Sequence, residues 1–206
     1  MKSKLELPKT LRLLESSEAP RDLAVLERIK LSKTANIVEG YTLFQNDPNS
    51  EFAFKFFAEI NINNSRLWDL FLSLCDELPT EASLIFNVVD GDPNYGEYTE
   101  KFEILDFLKD YKTEIVLDTL MEIGMIFHTE NELIEVFIAD CKYIKFWGVN
   151  ESSFLKIMES FSLKKVEDIK FIDEYPKVRE SLFISENDVK KPEEFMKILD
   201  EKFQFV

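Results

Sequence analysis

Apolar residues fall at Ile104, Phe107, Leu108 and Tyr111, three and four positions apart. That spacing predicts an amphipathic helix over "KFEILDFLKDY". "NNSRLWDLFLSLCDELP" carries a second such pattern, with Asn64 or Ser65 placed to cap its first amides and Pro79 beyond its end. "NESSFLKIMESFSL" and "PEEFMKILDEKF" read as two more helices. Glu193 and Glu194 stand in the first turn of the last one and Lys202 in its final turn, matching the helix dipole. "TEIVLDTLMEIG" is read as a helix capped by Thr113 and ended by Gly124.

Other stretches have strand character. "YTLFQNDPNSEFAFKFFAEINI" predicts a hairpin, with turn chemistry at Asn46 to Ser50 between two β-rich runs. "ASLIFNVV" is a buried strand. "MIFHTENELIEVFIADCKYIKFWG" is a three-stranded meander turning near Asn131 and Asp140, and "DIKFIDEYP" is a further strand.

Two stretches superpose without gaps at an offset of 87: Asn63 meets Asn150, Ser65 meets Ser152, and Ile85 meets Ile172. The expected fold is therefore α+β, one domain over 1–206. An antiparallel or mixed sheet would be built from two β-β-α-β halves, 41–90 and 125–175, with helices packed on it. An acidic helical segment, 100–124, would join the halves. Residues 1–33, with eight Lys/Arg against five acids, form a basic amino-terminal segment that either packs on the body or extends as an arm.

Composition narrows the function classes. The chain has 206 residues, 45% hydrophobic, with 19 Phe and only 5 Gly, enough for a sizeable aromatic core. Its net charge of −15 repels nucleic acid and anionic membranes, so neither is expected as a partner. No apolar run reaches the roughly 18 residues of a membrane span, and the first twenty residues lack the apolar core of a signal peptide. Cytoplasmic residence is expected, with Cys75 and Cys141 as free thiols.

Candidate chemistry is sparse. "DGDPNYGE" sets Asp90, Asp92 and Asn94 at alternate positions like the start of a calcium loop. The glycine position of such a loop is Tyr95, however, and its bidentate glutamate position is Lys101, so a polar turn is expected instead. His128 is the one histidine and stands in a predicted strand with no nucleophile motif around it. Neither a phosphate-binding glycine loop nor a G-x-S-x-G elbow occurs. No catalytic residue, metal ligand or cofactor is assigned.

What stands out is where the acids lie. Residues 81–140 hold 15 Asp/Glu and three Lys. Glu103, Asp106 and Asp110 fall on one side of the first predicted helix. Glu114, Asp118 and Glu122 recur every fourth position on the next, where like charges cost roughly 0.2–0.5 kcal/mol per pair. With Asp92, Tyr95, Glu97 and Tyr98 they make up a candidate partner-binding surface of aromatics among carboxylates. The function expected from this is a non-enzymatic protein that holds a basic protein partner, of the kind an immunity or inhibitor protein uses to neutralise a toxin or nuclease. The alternative is a small-ligand protein or enzyme with an acidic cleft between the two halves.

Overall fold

Phe56, Ala58 and Ile60 alternate with Phe57, Glu59 and Asn61. The same period of two runs through Met121, Ile123 and Met125, and through Ile134, Val136 and Ile138. Each run puts one apolar set on one face of a sheet. A computed structural model of the chain describes residues 4–186 and 188–204. In chain order its elements are β1 (Leu11–Leu13), α1 (Leu23–Ser32), β2 (Gly40–Gln45), β3 (Phe56–Asn61), α2 (Leu67–Cys75), β4 (Glu81–Val88), β5 (Asn94–Tyr95), β6 (Thr99–Glu100), α3 (Lys101–Lys109), α4 (Lys112–Leu117), β7 (Met121–His128), β8 (Leu133–Ile138), β9 (Ile144–Gly148), α5 (Glu151–Ser160), β10 (Lys177–Arg179), α6 (Leu182–Ser185) and α7 (Pro192–Phe203).

The fold is α+β. Eight strands form one sheet in the order β2-β3-β9-β8-β7-β4-β5, with β6 also on β4, and every ladder in it is antiparallel. β1 and β10 pair separately. The inward set of each long strand packs against α2, α3, α5 and α7 in one core. At its centre Phe154 of α5 meets Tyr41, Phe56 and Phe146 at ring distances of 5.5, 5.2 and 5.4 Å. Gly148 makes room for this cluster: a Cβ there would lie 2.5 Å from the Phe146 ring and 2.9 Å from that of Phe56. Among the described residues no helix is long and apolar enough to cross a membrane.

The hairpin β2–β3, the meander β7–β8–β9 and helices α2, α3, α5 and α7 lie where the sequence puts them. Asn150 caps α5, its Oδ1 accepting from the Ser153 amide at 3.2 Å. The basic amino-terminal segment packs on the body. β1 pairs with β10, and the Glu6 amide donates to Asn63 Oδ1 at 2.8 Å.

Three expectations are overturned. Asn64 and Ser65 do not cap α2: Asn64 Nδ2 donates to the Val116 carbonyl at 2.9 Å and Ser65 Oγ to Glu6 at 2.6 Å. The stretch 113–124 is not one helix. α4 stops at Leu117, Asp118 is extended (φ −85, ψ 113), and the period-two run from Met121 makes β7. The joining segment 100–124 is thus helical only as far as Leu117. "DIKFIDEYP" forms a single 3-10 turn, Ile172–Glu174, in place of a strand. The second half therefore lacks the closing strand that β4 gives the first. The two halves meet along a seam where β3 and β9 are hydrogen-bonded neighbours, from Phe56↔Gly148 to Ile60↔Ile144.

Candidate docking groove

α2 buries Leu67, Leu70, Phe71 and Leu74 and turns Asp69, Leu72, Ser73 and, just past its end, Asp76 to one side, with the buried Trp68 lying at the wall between the two sets. α3 buries Ile104 and Leu108 and turns Phe102, Glu103, Leu105, Asp106 and Lys109 to the same space. Between them runs a groove of about 980 Å³. Its apolar surface comes from Trp68, Leu72, Phe102 and Leu105. Its charges are five carboxylates, Asp69, Asp76, Glu100, Glu103 and Asp106, against Lys109 and Lys112. Phe102 is 64% exposed, a large ring held in water at the groove.

One buried lysine fixes the two helices together. Lys101 is 7% exposed, and its Nζ donates to the carbonyls of Cys75, Asp76 and Leu78 at 3.2, 3.2 and 2.6 Å. The Cys75 and Asp76 carbonyls stand at the negative end of the α2 dipole and Leu78 in the turn just beyond, where Cys75 also accepts from the Leu78 amide at 3.1 Å. Lys101 is also the first residue of α3, so the same contact sets where the second wall of the groove begins.

The ten residues picked out from the sequence divide into three groups. Glu103, Asp106 and Asp110 are exposed on or just beyond α3, and the first two line the groove. Glu103 also meets Lys202 of α7 at 3.0 Å. Asp92, Tyr95, Glu97 and Tyr98 lie on the segment that turns back along β4. Tyr95 stands opposite Ile85, on the sheet face away from the helices. Tyr98 is held at the end of β7, its hydroxyl accepting from the His128 amide at 2.8 Å. "DGDPNYGE" is the turn between these strands, with Asp90 in the left-handed region at φ 65.

Glu114 and Asp118 belong to the interior and Glu122 is half-buried on β7, which corrects their placement on one helical surface stripe. Glu114 is 5% exposed and accepts from the Lys190 amide at 3.1 Å. Asp118 is 0% exposed and accepts from the amides of Leu120 and Leu182 at 2.9 and 3.1 Å. Glu122 accepts from Asn87 Nδ2 and the Asp140 amide. Lys142 reaches the same region from the β8–β9 turn, at φ 59, and donates to the Met121 carbonyl at 2.9 Å. Burial pushes the Lys142 ammonium down to about 8, against the pull of Asp118 and Glu122. These carboxylates satisfy backbone donors where α4, α6 and the β8–β9 turn meet the sheet.

The sequence missed Trp68, Asp69, Leu72, Ser73, Asp76 and Phe102. A signal was there: Asp69, Ser73 and Asp76 follow helical spacing beside Leu72, one flank away from the buried stripe that includes Trp68.

A second charged group stands on the open face of the sheet. Glu135 is half-buried between Trp147 and Ile126 in the cross-strand register, and burial pushes its carboxyl up to about 7 against the pull of Lys145. The unfolded chain ionises this group near 4.5, the folded chain near 7. Stability is therefore full below about pH 4.5 and falls as pH rises towards 7. Lys145 of β9, His128 of β7 and Glu59 of β3 share this face. Glu135→Gln is expected to add about 2–3 kcal/mol at pH 8 and little at pH 4.5, read by urea midpoints at the two pH values. An equal gain at both pH values would refute this.

A comparison with protein-family models, curated proteins and solved structures finds no match to this chain.

Proposed function

We propose that this protein is a non-enzymatic binding protein that seats a basic amphipathic segment of a protein partner in the groove between α2 and α3. The observation that carries this is the groove's composition: an apolar surface with an exposed phenylalanine, ringed by five carboxylates and two lysines. Rings and leucines supply affinity once water is excluded, while surrounding charge speeds and orients the encounter. A helix with apolar residues on one face and Lys/Arg flanking them is the complementary shape. Inhibition by occlusion follows naturally for a partner whose own active surface is basic, such as a nuclease or toxin, which makes an immunity or inhibitor role the specific form of this proposal. It places the protein in the cytoplasm, where Cys75 and Cys141 stay reduced.

The groove contains Trp68, and Trp147 is the other tryptophan. In a Trp147→Phe variant, a Leu/Lys amphipathic helical peptide is expected to shift Trp68 emission. Glu103→Lys with Asp106→Lys should slow association tenfold or more and flatten its dependence on salt, with stability changed by less than about 1 kcal/mol. An association rate indifferent to both charge reversal and salt would sink the proposal. Capture of a cellular partner identifies the toxin or nuclease class only if the double variant loses it and the captured protein's activity is blocked by the unaltered chain.

A further inference from the structure

The sheet has a second face, turned away from the helices. Its cross-strand register runs Phe44↔Phe57, Phe57↔Trp147, Trp147↔Glu135 and Glu135↔Ile126. The rings are in contact, Phe44 on Phe57 at 6.2 Å and Phe57 on Trp147 at 4.7 Å. The next row sets Glu59 beside Lys145 and Lys145 beside Phe137. Phe137 lies over Gly124, where a Cβ would come within 2.6 Å of its ring. One end of the face is covered: Tyr143 packs on Phe171 at 4.8 Å, and Asn61 donates to the Lys170 carbonyl. Towards Phe44, which is 54% exposed, the face is open.

Glu135 ends the aromatic row without a hydrogen-bond donor among the described residues. The row from Phe44 to Glu135 crosses four strands, about 14 Å. It offers π faces and then a carboxylate in line. A guanidinium stacks on the first and pairs with the second, through a planar fork that lysine lacks. Lys145 stands opposite Glu59 and offsets it, so the charge left on the patch is that of Glu135, which ionises through about pH 7 and favours a cation once it does. A second copy of the chain is disfavoured here, since it would bring the same carboxylates together at a net charge of −15 per copy.

We infer that this open face is a second docking surface, which takes an arginine-bearing segment of a protein partner with the guanidinium seated between Trp147 and Glu135. It lies across the sheet from the α2–α3 groove, so the two surfaces are tested separately.

The two tryptophans make that separation. In Trp68→Phe the remaining indole reports the sheet face, and in Trp147→Phe it reports the groove. At pH 8, where Glu135 is ionised, hexa-arginine added to Trp68→Phe is expected to change Trp147 emission with a saturating curve. Hexa-lysine should bind at least fivefold more weakly, and hexa-glutamate should give no change. Adding Glu135→Gln, which retains the side chain's shape, should weaken hexa-arginine at least tenfold. An unchanged Trp147 signal overturns the inference, and so does an equal response to hexa-lysine or to the Glu135→Gln variant. If Trp68 responds while Trp147 does not, the groove stands and the sheet face falls. If Trp147 responds to hexa-arginine while Trp68 stays silent to the Leu/Lys helix, the sheet face stands and the groove falls.

Discussion

Asp118→Ala is expected to lower the stability of this protein by about 3–5 kcal/mol, because two buried amides lose a charged acceptor at once. Leu120 and Leu182 both donate to this carboxylate, and Asp118 has no exposure to water. The first amide starts the chain into β7. The second holds the first residue of α6, so the loss loosens two separate segments. A denaturant midpoint that falls with an unchanged slope is the expected signature. A loss below 1 kcal/mol would show that water or a neighbouring oxygen replaces the carboxylate. Charge reversal at Glu114 and Asp118 is consequently a test of folding. The binding test belongs to Glu103 and Asp106, whose exposed carboxylates can be reversed without disturbing the interior.

The second large effect is at Lys101. Lys101→Met keeps the aliphatic stem and removes a donor from three carbonyls, two of them in buried contacts. The expected cost is about 2–4 kcal/mol. Lys101→Arg should recover only part of it, since a planar fork cannot aim at three carbonyls around one point as an ammonium does. The cost should fall on α2 and α3 together. Amide exchange at the end of α2 and the start of α3 should speed up in parallel, while β8 and β9 keep their protection. Faster exchange confined to α3 would mean that the lysine does not couple the helices.

These two residues also mark the limit of what the sequence reveals. The period of two in β3 and β8 and the helical spacing in α3 and α5 are local, and they locate the sheet and the helices on its inner face. Whether a charged residue points inward depends on which backbone donors arrive from elsewhere, and Leu182 lies far along the chain from Asp118. Lys101 reads as a surface residue opening a helix until the end of α2 is placed against it. Glu114, Asp118 and Glu122 mimic a helical stripe by spacing alone. The competing alternation of Met121, Ile123 and Met125 is what decides β7, because those side chains find a core to fill. "DIKFIDEYP" alternates as a strand should, yet Glu174 accepts from the Phe171 amide at 2.9 Å and helps to close a turn. The groove was half legible. The α3 acids stand out by their density, whereas the α2 flank opposite them carries only Asp69 and Asp76 among apolar residues and reads as an ordinary solvated face.

The seam between β3 and β9 has a consequence for how the chain comes to be folded. During synthesis, residues 40–61 emerge as a hairpin with one long edge unpaired, and the strand that covers that edge is 144–148. β4 likewise waits for β7. Contacts this remote along the chain form slowly, so the nascent protein carries an open, aromatic strand edge until residues 144–148 have emerged and docked. Variants meant to fold faster should therefore strengthen the β7–β8–β9 meander, whose strands follow one another directly and can assemble before β3 docks.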